Sequence, residues 1–215
     1  MSDRKTMGLL LDTYGRTYAD EAGIRLRDTP QPLYQLLVLS LLLSTRIRAS
    51  VAVAAAKALF ADGLRTPGRM ADATWQQRVD ALGEGGYRRY DERTATQLGD
   101  GALLLLDDWR GDLRRLRQEA DGDTAALRAG LRRLPGLGPT GADIFVREVQ
   151  AVWPETRPYI DAKALQGAER LGLPTSADAL LALARGTGPA VLAAALVRAA
   201  LDKHAAESIG LSAGA

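Results

Sequence analysis

Helical periodicity runs through almost the whole 215-residue chain. Apolar side chains recur at intervals of three and four residues, and no segment keeps the strict apolar–polar alternation of a half-buried strand. The most apolar stretch, Leu36 to Leu43, is interrupted by Ser40 and is far shorter than the ~20 residues that a membrane-spanning helix needs. We therefore predict an all-α protein in which this stretch is a helix buried on every side, at the centre of a helical domain.

Capping residues, prolines and glycines mark the expected helix ends. The predicted helices cover residues 32–44, 50–61, 72 or 74 to 83, 90–109, 124–134, 139–152, 161–171, 177–185 and 189–206. Gly99 and Gly101 weaken the prediction in the middle of the fourth helix. The tail over 210–215 is expected to be loose.

Composition excludes several kinds of chemistry. The chain has no cysteine, which excludes disulfides, thiolate zinc sites, iron–sulfur clusters and a cysteine nucleophile. Its single histidine, His204, excludes a multi-histidine metal centre, and the pattern places it at a helix end or on the surface. The formal net charge of +2 and the pI near 9.0 indicate only a mild preference for anionic partners. Any catalysis must use carboxylates, hydroxyls, amines or backbone dipoles.

The most informative segment is the turn Leu134-Pro-Gly-Leu-Gly-Pro-Thr-Gly-Ala142, which joins two amphipathic helices. It predicts a helix hairpin over about residues 124–152. Gly136 and Gly138 can take positive φ and bring the backbone close to a partner, and the next helix begins with unpaired N–H groups. Such a turn can hold a phosphate oxygen without a charged side chain. The spacing alone is equally compatible with a packed helix–helix turn whose glycines cap the first helix.

This turn, with Ile160-Asp161 closing the next loop, resembles the helix-hairpin-helix DNA glycosylases, relatives of endonuclease III and 3-methyladenine glycosylase. Leu36 to Ser50 is similar to the buried helix and DNA-facing turn of that family. Gly85 to Arg89 is similar to its glycine-aromatic turn, and Pro154 to Gly172 to its catalytic loop and helix. The resemblance covers residues 31–174 in the expected order, while the C-terminal helices match only in length and character.

The resemblance implies that Asp161 takes the place of the essential aspartate of the family. Cleavage of an N-glycosidic bond builds an oxocarbenium-like cation, which a fixed carboxylate stabilises while it helps to orient a water. An Asp that follows a proline-rich loop and precedes a helix is also an ordinary N-cap. The two roles are compatible, because the dipole of the helix N-terminus keeps a capping carboxylate ionised.

Two departures from the family pattern narrow the expected activity. Bifunctional members carry a lysine two residues after the second hairpin glycine, where this chain has Thr140, and threonine cannot form a Schiff base. The absence of cysteine excludes the iron–sulfur cluster of endonuclease III, so no cofactor is expected beyond a Na⁺ or K⁺ that the resemblance places on the Leu134 and Leu137 carbonyls. Lys163 could replace the missing amine, although phosphate contact or solvation suits it better.

Further residues are expected at the DNA interface by position in the family pattern. The expected contacts are Gly136, Gly138, Thr140, Gly141, Arg46, Tyr87, Arg88, Arg89 and Lys163. Arg46 falls at the intercalating position and Tyr87 on the second wedge turn, where a side chain replaces the extruded base. For Arg46 a solvated charge at a helix end is the plain alternative. Four residues could line or approach a base pocket, although such residues lie more often in a core or at a rim: Tyr34, Thr45, Trp153 and Tyr159.

These expectations combine into one prediction. Residues 32–154 form a helical barrel that ends in the hairpin, and residues 1–31 with 155–215 form a discontinuous second helical domain. The protein is expected to be a cytoplasmic, monomeric, monofunctional DNA glycosylase that binds duplex DNA containing a damaged or mismatched base and has no membrane partner. A bifunctional glycosylase/lyase and a non-catalytic DNA-binding relative remain as alternatives.

Overall fold

A computed structural model of the chain describes residues 2–209. Every regular element in that range is helical, which confirms the predicted all-α class. The α-helices are α1 Asp3–Tyr14, α2 Tyr18–Glu21, α3 Pro30–Leu43, α4 Ala49–Ala61, α5 Pro67–Asp72, α6 Trp75–Glu84, α7 Asp91–Trp109, α8 Leu113–Ala120, α9 Thr124–Leu131, α10 Pro139–Val149, α11 Ala162–Arg170, α12 Ala177–Leu183, α13 Pro189–Leu201 and α14 Ala205–Ser208. A short 3₁₀ turn spans Pro154–Thr156.

The helix ends agree with the capping residues except in a few places. The helix predicted over 189–206 is two helices, because Asp202 leaves helical geometry and its carboxylate accepts the His204 N–H at 2.9 Å. Gly99 does not interrupt α7. The absence of a side chain at this position makes room for the Arg78 guanidinium. Helices α1, α2, α5 and α8 lie where no helix was predicted, and the predicted loose tail over 210–215 lies outside the described residues.

The first of two apolar cores surrounds α3. Leu36 to Leu42 are all buried, as predicted for this stretch, and the Ser40 hydroxyl is satisfied by the Leu36 carbonyl at 2.8 Å. Helix α4 packs on one side of α3 and α10 on another. Phe145 and Trp153 complete the core with an edge-to-face contact at 5.8 Å between ring centroids. Burial of residues 36–42 on all sides explains why this part of α3 has no polar face.

The second core is built on α11 and α13, with α1 and α12 against them. Gly167 allows the closest approach, because a Cβ there would lie 1.9 Å from the Leu196 carbonyl oxygen. Ala164 and Ala168 on the same face of α11 are fully buried. This close packing fixes α11, whose N-terminus carries Asp161.

The expected domain boundary at residue 31 is not where the two cores divide. Tyr18, Ala19, Ala22 and Ile24 are buried in the first core rather than the second. The reason is a tertiary cap, in which the Glu148 carboxylate of α10 accepts the N–H groups of Tyr18 and Ala19, each at 3.0 Å. Only α1 of the N-terminal segment joins the second core.

The helix hairpin is confirmed as a local structure. Asp123 caps α9 by accepting the Ala125 N–H at 2.8 Å, and Pro139 opens α10. Leu131, Leu134 and Leu137 are buried and anchor the turn to the first core. The backbone of the turn is thereby held in place while Gly136 and Gly138 remain exposed.

Candidate functional site

Asp161 is the N-cap of α11, and both of its carboxylate oxygens have partners. Oδ1 accepts the Ala164 N–H at 2.9 Å, which confirms the capping role. Oδ2 accepts a hydrogen bond from Arg147 Nε at 2.8 Å. The two side chains are only 9% and 6% exposed, so this is a largely buried ion pair. The pair fixes the carboxylate in one orientation at the wall of a cavity.

That cavity, which we name the Asp161 cleft, has a volume of about 980 Å³ and is lined by elements of both cores. One wall is a single face of α10, on which Thr140, Asp143, Ile144 and Arg147 recur with helical spacing. Apolar side chains cover much of the rest: Leu43, Ile47, Leu165, Val197 and Leu201. The cleft can therefore hold a partly apolar group beside a fixed carboxylate.

A second carboxylate in the cleft, Asp143, is also held by partners. Its Oδ1 accepts hydrogen bonds from the Tyr159 hydroxyl at 2.6 Å and from Arg128 Nε at 2.7 Å. Burial, together with the hydrogen bond to Asp143, raises the pKa of the Tyr159 phenol, so Tyr159 stays a neutral donor. Among the candidates for a base pocket, Tyr159 orients the cleft residue Asp143 through its hydrogen bond, whereas Tyr34 and Trp153 lie in the core.

The hairpin turn borders a separate cavity of about 420 Å³, which we name the hairpin pocket. Gly136, Gly138, Thr140 and Gly141 line it. Their backbone N–H groups have no hydrogen-bond partner within residues 2–209. Arg46 is exposed and lines the same pocket, while its intercalating role stays a prediction. A row of unpaired N–H groups at the start of α10 favours an anionic ligand.

Only one hairpin glycine has the backbone conformation that the sequence suggested for both. Gly136 has φ +82°, whereas Gly138 has φ −77° and ψ −172°, which any residue can adopt. Gly141 is buried, and its lack of a side chain makes room for Leu137, since a Cβ would lie 2.8 Å from Leu137 Cδ1. Its contribution to the pocket is therefore confined to the backbone.

The carbonyls expected to hold a monovalent cation differ in availability. The Leu134 carbonyl accepts the Leu137 N–H at 3.1 Å, which leaves one of its lone pairs. The Leu137 carbonyl has no backbone or side-chain donor within the described part of the chain. Carbonyl oxygens are suitable ligands for Na⁺ or K⁺. That these two carbonyls bind such an ion stays a prediction.

Tyr87 does not lie where the sequence comparison with the family pattern placed it. Its side chain is fully buried, and its hydroxyl pairs with Thr45 Oγ1 at 2.9 Å and Thr94 Oγ1 at 3.3 Å. The predicted wedge role for Tyr87 is therefore wrong, because the ring fills the first core. Its effect on the Asp161 cleft is indirect, through Thr45, which lines that cleft.

The remaining predicted contacts are on the surface. Arg88 and Arg89 are exposed, and the Arg89 guanidinium lies 5.2 Å from the centre of the Tyr90 ring. Lys163 lines the Asp161 cleft and donates to Gln166 Oε1 at 2.8 Å. His204 is exposed at the start of α14, where the sequence placed it. The structure thus brings Lys163, Thr140 and Asp161 to one cleft.

Sequence reasoning missed Arg147 and Glu148, adjacent charged residues that are both buried. Burial raises the pKa of Glu148, whose carboxylate caps α2. The signal was present in the sequence, because a charged pair interrupts the apolar run of Phe145, Val146 and Val149 on α10. Buried charges are retained only with partners, and here the partners are Asp161 and the α2 N-terminus.

Comparison of the chain with protein-family models, curated proteins and solved structures gives no match. Within residues 2–209, no helix has the length and apolar character required to cross a membrane. The case for a function consequently depends on the geometry of the site and on the motifs in the sequence.

Proposed function

We propose that the protein is a monofunctional DNA glycosylase of the helix-hairpin-helix type, with two helical lobes and a DNA-binding cleft between them. It would bind duplex DNA, extrude a damaged or mismatched base and hydrolyse its N-glycosidic bond. The observation that carries the proposal is the placement of a fixed, buried carboxylate, Asp161, in a cleft that shares Thr140 with the pocket of the hairpin.

The hairpin pocket supports the DNA-binding part of the proposal. Unpaired N–H groups at a helix N-terminus bind phosphate oxygens without reading the base sequence. Exposed Arg46 and Arg93 line the same pocket and add positive charge. A phosphate held there would place the neighbouring nucleotide close to the Asp161 cleft, because Thr140 lines both cavities.

The chemistry follows from the properties of Asp161. As the bond between C1′ and the base breaks, positive charge develops on the sugar, and an ionised carboxylate in a poorly solvated cleft stabilises it electrostatically. Water then adds to C1′ and leaves an abasic site. Thr140 has no amine, and Lys163 Nζ is engaged with Gln166, so cleavage of the strand by a Schiff base is not part of the proposal.

Asp161→Asn tests this proposal. The amide keeps the size of the side chain and can still accept at the helix N-terminus, but it carries no charge to stabilise the sugar cation. We expect loss of base release by at least about a thousandfold, with DNA binding retained. Duplexes containing uracil, thymine mismatches, 3-methyladenine, hypoxanthine or oxidised bases would be incubated with each protein and treated with alkali to reveal abasic sites.

Retained turnover in Asp161→Asn would contradict the site assignment. One observation favours a second function, that of a DNA-binding protein without catalysis, because Asp161 is already neutralised by Arg147. This second function would be established if every duplex in the panel survived incubation with the wild-type protein while binding to DNA persisted.

A further inference from the structure

The Arg147 guanidinium has more hydrogen-bond donors than partners. Its side chain is 6% exposed, and within residues 2–209 only Nε has an acceptor, Asp161 Oδ2 at 2.8 Å. A guanidinium carries five N–H groups in a planar fork, so the donors on Nη1 and Nη2 remain without a protein acceptor. A donor without a protein acceptor must be satisfied by solvent or by a ligand.

Arg147 is one of the residues that line the Asp161 cleft. None of the partly or fully buried side chains in the described range has a sealed nitrogen or oxygen without a partner, so Nη1 and Nη2 both keep some contact with solvent. Arg147 lines the cleft, and the rest of its side chain is covered. A ligand entering the cleft would therefore meet two unpaired, cationic donors next to the Asp161 carboxylate.

The position of the donors identifies the acceptor. The proposed function, on which this inference rests, puts Asp161 beside C1′ of the extruded nucleotide, and the Nη atoms belong to the same planar group that binds Asp161. In that function the phosphates would bind at the hairpin pocket, which shares Thr140 with the cleft. The group that enters deeply is the base, and in a pyrimidine the 2-keto oxygen is next to the glycosidic nitrogen.

We propose that Arg147 binds the 2-keto oxygen of an extruded pyrimidine and makes the cleft selective for 2-oxo pyrimidines such as uracil or thymine. When the C1′–N1 bond breaks, its electron pair goes to the base, where the charge is shared between N1 and the 2-keto oxygen. The water oxygen bonds to C1′, and one water proton ends on the base. Asp161 thus stabilises the cationic sugar and Arg147 the anionic leaving group.

A binding measurement tests this independently of turnover. Duplexes would carry an uncleavable 2′-fluoro-2′-deoxyuridine or its 2-thio analogue, since sulfur is a much weaker acceptor. We expect the wild-type protein to bind the 2-oxo duplex about tenfold more tightly, the ratio that a charged hydrogen bond supplies. Arg147→Gln should reduce this ratio to near one.

Because Arg147→Gln leaves Asp161 buried without its cation, the double variant Arg147→Gln with Asp161→Asn provides a second route. Its matched control is Asp161→Asn alone, which should keep the tenfold preference that the double variant loses. Equal preference in the two proteins would overturn the role of Arg147 while the glycosylase proposal stood. If the wild-type protein bound no duplex, both the glycosylase proposal and the role of Arg147 would be overturned. This outcome differs from the previous one, because neither the 2-oxo nor the 2-thio duplex would then be bound.

Discussion

Single glycines in the hairpin turn serve different purposes. Gly136 has φ +82°, and a Cβ added there would lie 2.6 Å from Gln97 Cδ. Gly138 has an ordinary extended conformation, and no described heavy atom lies within 4 Å of the Cβ position. The fold therefore requires glycine at Gly136, whereas at Gly138 it does not. The open space beside Gly138 leaves room for a ligand to approach the backbone.

This difference predicts opposite outcomes for two matched substitutions. Gly136→Ala should lower the free energy of unfolding by about 1–3 kcal/mol, because the left-handed backbone and the contact with Gln97 both penalise a methyl group. Gly138→Ala should change it by less than about 0.5 kcal/mol. Urea denaturation of both variants measures the difference. Equal destabilisation by the two substitutions would show that the turn is not as the structure has it.

At the residue scale, the sequence predicted what depends on near neighbours. Asp161 as an N-cap follows from the loop before it and the helix after it. Tyr87 was misplaced because its burial depends on Thr45 and Thr94, which come from other elements. Arg147 was missed because its partner comes from beyond a loop whose path the sequence does not specify.

Among the helices, α11 matters most for the site, because its N-terminus holds Asp161. Its position depends on contact with α13 through Gly167, Ala164 and Ala168. A Cβ at Gly167 would overlap the Leu196 carbonyl. Any side chain there must push α11 away from α13 and move Asp161 with it.

We expect Gly167→Ala to lower the free energy of unfolding by about 1–3 kcal/mol, as overpacking does, and to reduce base release by about a hundredfold. Gly8→Ala is the control, since Gly8 is an exposed helical glycine with no atom of the described residues near its Cβ position. It should stabilise the protein by about 0.5–1 kcal/mol. Thermal unfolding and the alkali assay measure both effects. Normal activity in Gly167→Ala would refute the link between this packing and Asp161.

The junction of α13 and α14 predicts a dependence on pH. The Asp202 carboxylate accepts hydrogen bonds from the Tyr14 hydroxyl and from the His204 N–H, and these bonds lower its pKa. Near pH 4 the folded protein therefore binds fewer protons than the unfolded chain. The stabilisation is therefore present above the ordinary pKa of Asp and is lost as the pH falls through the lowered value. Asp202→Asn should destabilise at pH 7 by no more than about 1 kcal/mol, since the site is exposed, and should be neutral near pH 2. A difference in melting temperature that persists at low pH would contradict this.

At the element scale, apolar character mattered more than capping, since α4 and α7 were predicted although no side chain caps them. Helix α8 was missed although Asp112 caps it, because its sequence is rich in arginine and its buried face is limited to Leu113, Leu116 and Ala120. The single helix predicted over 189–206 overlooked Asp202, whose side chain ends α13. A helix end that is set by a hydrogen bond between a side chain and a nearby backbone N–H is difficult to predict from apolar spacing.

At the scale of the whole molecule, two lobes were predicted, and α1 joins the second core accordingly, but residues 18–24 pack in the first core. The Glu148 cap on α2 and the ion pair between Arg198 and Glu21 attach residues 18–24 to the first core and link it to α13. Both contacts join residues more than a hundred positions apart. A single sequence contains no spacing that predicts them.

The charge of the whole molecule bears on how it would bind DNA. A net charge of +2 on 215 residues gives a weak overall field, so affinity for DNA must come from groups placed locally. Arg93 is one such group, since it is exposed, lines the hairpin pocket and lies 5.3 Å from the centre of the Tyr90 ring. Each phosphate that a protein neutralises releases condensed counterions, and this sets the salt dependence of binding.

Arg93→Ala should therefore weaken binding to all duplexes by a similar factor and reduce the slope of log affinity against log salt by about 0.9. Arg185→Ala removes the same charge from an exposed position that lines neither the hairpin pocket nor the Asp161 cleft. It should leave the slope unchanged, because net charge alone does not determine the number of phosphates contacted. Fluorescence anisotropy with a labelled duplex at several salt concentrations measures both slopes. If the two variants lost affinity equally, DNA would be attracted by the overall charge of the protein, and the hairpin pocket would have no special part in binding.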